Sequence, residues 1–361
     1  MGTHTMVTRS MVSLHNRSFA DMCLAGYTKR SLEQTGSEAE SKTPKKNRYN
    51  IQTDTSRFMY NYRKLIEKSK RLSEKNISTR YMPAINIGLV ATNDFYTRKT
   101  WLRWASLSRE IRVTFVGHMS RPTGEAKQWM EEDPYKKLIH WVPERETSWG
   151  GPGNVLATMD VLTKSFEISE AEHTLLISQD CVPLVSPQKL VSLLQTHFAG
   201  YSVFHSTDRK FTEPLLRESE ATTPYLFVHR SQWPKVLGIH EAHWGRYTQY
   251  YCEEKMLHGQ QMAIDEIYLG TMITRSCGKQ KKHQRVCWTQ WDDFKFPFRG
   301  TFVTDDFVKK NFLGLAQGTY STFGKGWLLA RKCRDSEALA RTLEVCWKKT
   351  DHDQNYIYSQ K

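Results

Sequence analysis

A chain of 361 residues can bury a sizeable core in one large or two ordinary domains, and its apolar and charged fractions are those of a globular protein. The formal charge of +14 is uneven, since residues 1–80 hold 16 Lys and Arg against 7 Asp and Glu. A duplex-binding module concentrates charge on its folded part, so this mildly basic body argues against a nucleic-acid partner and suits an anionic ligand.

No run of 18 apolar residues occurs and the N-terminus lacks the apolar core of a signal peptide, so no transmembrane segment is expected, and on that ground a cytoplasmic location. The cysteines show no C-x-x-C and no paired Cys/His spacing, which argues against structural zinc. Their scatter suits reduced thiols, with a Cys277–Cys287 pair left open for an oxidising compartment.

Residues 1–50 are polar without a sustained period and end in the basic segment Lys42 to Arg48, which reads as a disordered basic leader. Residues 51–83 read as a lead-in, with Phe58, Tyr62, Leu65, Ile66 and Leu72 at helical spacing. An ordered domain over 84–350 follows, then a tail over 351–361. Ile85 to Thr92 predicts a strand, Asn93 and Asp94 a polar turn, and Lys99 to Ser108 a helix, which together make the first half of a parallel crossover. Further strands are predicted at Arg112 to Gly117 and Lys137 to Val142.

Trp149 to Gly153 is a glycine-rich turn before a helix over Asn154 to Phe166. It lacks the Gly-Lys-Ser/Thr ending of a phosphate loop. Thr174 to Ser178 predicts a buried strand; Ser178, Gln179 and Asp180 form a polar turn at its end, and Ser186-Pro187 supplies an N-cap and a first-position proline for the next helix. Short strands are expected at Tyr201 to His205, Tyr225 to Val228 and Cys287 to Trp291. Helices are expected after Gln232 and over Ser336 to Trp347. The pattern is α/β: a Rossmann-type mixed, mostly parallel sheet flanked by helices.

Several features carry candidate chemistry. Asp265 and Glu266, between Ile264 and Ile267, read as acids on a core-facing helix, where partial burial suits a general base. Lys325, Arg331 and Lys332 form a cation cluster able to stabilise a departing diphosphate. Trp288 and Trp291, with Trp244, Tyr247 and Tyr251, offer sugar platforms or simply core packing. Thr92, Asn93 and Asp94 sit where nucleotides bind at strand ends.

In their order along the chain, W-G-G-P-G-N-V-L-A-T-M-D-V-L, L-L-I-S-Q-D-C-V-P-L, H-R-S-Q-W, D-E-I-Y-L-G-T-M, C-W-T-Q-W and L-L-A-R-K-C resemble the core-2/I-branching glycosyltransferases, the family of β-1,6-N-acetylglucosaminyltransferases and peptide xylosyltransferases, and most of all its plant-type members. The resemblance covers roughly residues 84–335. It implies a GT-A-like fold, a UDP-sugar donor, a glycan or glycoprotein acceptor, inversion at the anomeric carbon, and no cofactor or metal. It further implies Glu266 as base, Lys332 with Arg331 or Lys325 on the diphosphate, and Ser178 to Asp180 where metal-dependent relatives keep Asp-x-Asp. Thr92 to Asp94 would contact the nucleotide, and Trp288, Trp291 and Asp265 the acceptor. Animal members carry a Golgi membrane anchor and several disulfides, which this chain does not show, and place Ser-Pro where it has Ala263-Ile264. The alternatives are a metal-dependent transferase using Asp180 with Asp292-Asp293 or Asp305-Asp306, and a non-catalytic basic module binding carbohydrate or nucleic acid.

Overall fold

The computed structural model describes residues 82–107, 110–148, 150–204, 206–207, 221–257, 263–278, 286–289, 302–317 and 326–352. The leader, the lead-in helix, most of the tail, Lys325, Trp149, Trp291 and Asp292-Asp293 lie outside them.

Strand β1 (Ala84–Ala91) is the axis of the molecule. It pairs in parallel with β2 (Arg112–Met119) on one side, from Ala84 opposite Arg112 to Ala91 opposite Met119. On the other side it pairs in parallel with β4 (His173–Ser178), from Asn86 opposite Thr174 to Val90 opposite Ser178. β3 (Ile139–Trp141) extends the sheet beyond β2 in parallel. The edge strand β8 (Phe227–His229) runs antiparallel to β4, giving the order β3-β2-β1-β4-β8. A central parallel strand is covered on both faces, which is why β1 reads as a near-continuous apolar run. Its one buried amide, Asn86, donates to the Ser165 carbonyl at 3.3 Å and to the Thr174 hydroxyl at 3.2 Å.

Helices α1 (Arg98–Ser106), α2 (Gly124–Glu131), α3 (Tyr135–Leu138) and α4 (Pro152–Ile168) connect the first four strands. α5 (Pro187–His197) follows β4, capped by the Ser186 hydroxyl, which accepts from the Lys189 N–H at 3.1 Å, with Pro187 at the first position as the sequence predicts. α6 (Trp233–Leu257), α7 (Tyr268–Cys277), α8 (Asp305–Gln317) and α9 (Glu337–His352) complete the described helices. The core divides by sheet face. Trp101, Trp104, Phe115 and Leu190 fill one side; Val155, Met159, Leu162, Trp233 and Met272 fill the other. Trp101 and Trp104 also donate their ring N–H groups, to the carbonyls of Cys181 and Val185 at 2.8 Å each, which fastens α1 to the segment after β4.

A second, small sheet stands beyond the end of β4. Its strands are β5 (Val182–Pro183), β9 (Cys287–Thr289) and β10 (Leu329–Arg331), in the order β5-β10-β9. Two short strands, β6 (Ser206–Thr207) and β7 (Ala221–Thr222), pair antiparallel as a separate ribbon.

Several elements depart from expectation. The strand predicted at Tyr201 to His205 is reduced to one bridge, Val203 to Phe227. Asp265-Glu266 lies not on a helix but on a 3-10 turn, Ile264–Glu266, just before α7. Cys277 and Cys287 are both free thiols, so that pairing is not formed. Trp244 and Tyr247 are buried edge-on against Tyr268, at 5.2 and 5.0 Å, and serve the core. No helix among the described residues is long and apolar enough to cross a membrane.

Candidate active site

Chain order reverses at β1, with β2 on one side and β4 on the other, and the carboxyl ends of strands around such a point form a crevice. A cavity of about 280 Å³ occurs there. Thr92 extends from β1 and Ser178, Gln179 and Asp180 from β4, and all four line it. The Gln179 side-chain carbonyl accepts from the Thr92 N–H at 2.7 Å, closing the gap between the two strand ends.

Asp180 is buried. Its carboxylate accepts from the Ser178 hydroxyl at 2.6 Å and faces Arg331, whose Nε and Nη2 each lie 3.3 Å from a carboxylate oxygen. The small sheet makes this meeting possible: β10 pairs antiparallel with β5, and the Cys333 N–H donates to the Asp180 carbonyl at 2.8 Å. The Arg331 guanidinium also lies over the Tyr225 ring at 4.9 Å from its centroid. Burial opposes its charge, but Tyr225 and Asp180 outweigh burial and hold its pKa above the ordinary arginine value. Lys332 follows directly and lines the same cavity.

The glycine turn explains how the acids reach this place. Gly150 has φ +66°, and a Cβ there would lie 2.7 Å from the Cα of Ala263. Close approach lets the Gly150 carbonyl accept from the Ile264 N–H at 2.8 Å, seating the 3-10 turn against the start of α4. One turn into that region, the Asn154 amide donates to Asp265 Oδ2 at 2.6 Å. The motif with the look of a phosphate loop is therefore a seat for Asp265-Glu266. Gly150→Ala is expected to lose at least about 1–2 kcal/mol from the left-handed backbone alone, read by urea denaturation, and to displace both acids.

The two acids differ. Glu266 is exposed at the cavity edge and Asp265 beside it is half-buried, contrary to the expectation of a partly desolvated glutamate. Asp265 Oδ1 is out of contact with solvent and has no hydrogen-bond partner. Burial raises the Asp265 pKa above the usual carboxylate value, partly offset by the Asn154 hydrogen bond. The folded state thus holds this proton more tightly than the unfolded chain, where an Asp ionises near about 3.9. Its contribution to stability is full below that value and is lost as pH rises through the folded pKa. Asp265→Asn still accepts from Asn154 and has no charge to bury. The variant is expected to gain stability relative to the native chain as pH rises from about 4 to 7; a pH-independent difference in denaturation would mean a solvated carboxyl.

Other predicted site residues lie elsewhere. Asp94 accepts from its neighbour Phe95 N–H at 2.7 Å and the Trp129 ring N–H at 3.0 Å, and it faces Arg98 at 3.5 Å. Asn93 accepts from the Tyr96 hydroxyl at 3.1 Å. Both belong to the turn, and of the three only Thr92 borders the cavity. Trp288 stacks on Phe307 at 5.3 Å, which covers a ring face and puts it in the small sheet's packing instead of the cavity wall. Asp305 and Asp306 are exposed in the first turn of α8, where Asp305 accepts from Ser336. Among the described residues, Asp180, Asp265 and Glu266 do not converge as a three-ligand metal set. Asn154 and Tyr225 are site residues that sequence reasoning missed; the one signal was Asn154 directly after the glycine turn.

Fold and cavity together define an α/β protein with a charged site at the carboxyl edge of a mostly parallel sheet. No model of a protein family and no curated protein matches the chain. Among solved structures it is similar to the galactosyltransferase LgtC in complex with donor and acceptor sugar analogs, at 10% identity and TM-score 0.34, over 74% of this chain and 96% of that one. It is also similar to TarS of S. aureus in complex with UDP-GlcNAc, at 15% identity and TM-score 0.26, over 41% of this chain and 46% of that one. For the mannosyltransferase PcManGT of Pyrobaculum calidifontis in complex with GDP-Man and Mn2+ the values are 17% and 0.27, over 49% and 55%. The chain spans 64% of the length of an LgtC active-site mutant and 48% of a second TarS structure. At these identities and TM-scores the likenesses assign neither family nor residue role.

Proposed function

We propose that the protein is a GT-A-like, metal-independent, inverting glycosyltransferase that moves N-acetylglucosamine or xylose from a UDP-sugar to an acceptor hydroxyl. The observation that carries this reading is the cavity at the strand ends that joins Asp265-Glu266 to Arg331-Lys332. An inverting displacement needs one base for the acceptor and positive charge at the leaving group, and both are present. The motif resemblance supplies the substrate class.

Within that reading Glu266, exposed at the edge, is the base an acceptor hydroxyl can reach. Asp265 lies beneath it and orients the acceptor or the base. Arg331 is matched by Asp180, so the pair adds little net charge, and Lys332 is the principal diphosphate contact. The same pairing supports metal independence: the carboxylate that would hold a cation already holds a guanidinium.

UDP release from a panel of UDP-sugars, with and without EDTA, tests the proposal. Acceptor-dependent release that survives EDTA is expected. Lys332→Ala is expected to raise the donor KM by roughly 10- to 100-fold, as loss of one hydrogen bond to a charged group does. Release abolished by EDTA and restored by manganese would sink the metal-free mechanism. An absence of both turnover and UDP binding would sink the transferase reading.

A further inference from the structure

A second cluster lies at the other end of β4, away from the cavity. His173 opens β4 and His229 closes β8, and the antiparallel register sets them directly opposite each other. Both are buried, with ring centroids 4.8 Å apart and planes at 76°. Glu172, exposed, precedes His173. One ligand atom from each of Glu172, His173 and His229 lies within 4.8 Å of the others. Among the described residues the Glu172 carboxylate has no side-chain hydrogen bond or ion pair.

We propose that Glu172, His173 and His229 bind one divalent transition-metal ion of the zinc class, which clips the edge strand β8 to β4. Two imidazoles and one carboxylate are a donor set that zinc takes, with water in the fourth position, whereas calcium and magnesium prefer oxygen alone. Zinc bonds of about 2.0–2.2 Å set tetrahedral ligand atoms about 3.4 Å apart.

The rings have backbone and hydroxyl partners of the kind that orient metal-bound histidines, His173 at the Tyr201 and Phe198 backbone and His229 at Ser231. His173 Nε2 lies 3.0 Å from the Tyr201 carbonyl and His229 Nδ1 lies 2.8 Å from the Ser231 hydroxyl. Donation through those atoms leaves His173 Nδ1 and His229 Nε2 with lone pairs for the ion. The Ser231 N–H also approaches His229 Nδ1 at 3.2 Å, a contact that belongs to the other tautomer and is given up on binding. Arg230 commits its guanidinium to the carbonyls of Phe166, Ser169 and Ala171.

β8 meets β4 through only three residue pairs, His173 to Leu175 against His229 to Phe227, so a bridge at the first pair secures the edge. Along β4 the cluster stands roughly 16 Å from Ser178, at about 3.3 Å per residue. The ion is therefore structural and touches no substrate of the cavity.

The test uses the full chain, stripped with EDTA and titrated with Zn2+ by calorimetry and thermal unfolding. One saturable ion per chain and a rise in Tm of a few degrees are expected. Glu172→Gln, a surface change, and His229→Gln should each weaken that binding by at least about tenfold. His140→Gln, exposed on β3, should leave it unchanged. The chain holds 13 histidines, so zinc binding that persists unweakened in both Glu172→Gln and His229→Gln belongs elsewhere and overturns the proposal, as does the lack of any saturable binding. UDP-sugar turnover is not the readout, so this result stands apart from that of the transferase test.

Discussion

Exchanging Glu266 for glutamine is expected to lower UDP-sugar turnover by about 10²–10⁴-fold, the range a positioned general base supplies. Donor affinity and stability should stay near native. Glu266 is exposed, and surface exchanges of this kind rarely move stability by more than about 0.5 kcal/mol. Its backbone is held independently of the carboxylate: the N–H donates to the Ala263 carbonyl at 3.0 Å, and its own carbonyl accepts from the Thr222 hydroxyl at 3.2 Å. Glutamine keeps the shape and loses the proton acceptor. Asp265 is the rival base, since its carboxyl has the raised pKa and an unpartnered oxygen. Single-turnover rates at saturating donor separate the two. A Glu266→Gln chain that keeps more than about a tenth of native turnover, beside an inactive Asp265→Asn chain, would move the base to Asp265.

Arg331→Ala is expected to destabilise the fold by about 3–5 kcal/mol, because it leaves the buried Asp180 carboxylate without its counter-charge. Asp180 has only 5% of its side chain exposed, so water does not replace the guanidinium. The Tyr225 ring loses its cation in the same step. A variant that removes both charges, Asp180→Asn with Arg331→Met, should recover most of the stability, as apolar or neutral replacements of buried pairs commonly do. Chemical denaturation of native, single and double variants makes the comparison. Equal losses in the single and double variants would trace the effect to packing around Arg331 instead of the unpaired charge.

Much of the scaffold is legible in the sequence because its signals are local. β1 and β4 are apolar runs of strand length, and Ser186-Pro187 marks the start of α5 by cap chemistry alone. α2 escapes notice because its eight residues bury only Ala126 and Trp129, too few to show a period. The 3-10 turn at Ile264–Glu266 reads as helix in the sequence because Ile264 and Ile267 are three apart, a spacing common to both forms. The site was half legible. Charged residue types at the strand ends stand out, but their partners do not: Asp180 and Arg331 are 151 residues apart, and Asn154 and Asp265 are 111 apart. Nothing local to Trp288 distinguishes a ring stacked on Phe307 from one open to a sugar.

The placement of β10 beside β5 has a consequence for the order of assembly. During synthesis the strands β1 to β4 and α4 all emerge before β10, although β1 must wait some 88 residues for its partner Thr174 on β4. The Asp180 counter-charge and Lys332 arrive only when residues 329–332 leave the ribosome and close a loop across most of the domain. Until then Asp180 has no counter-charge and the cavity lacks the part of its wall that Arg331 and Lys332 supply.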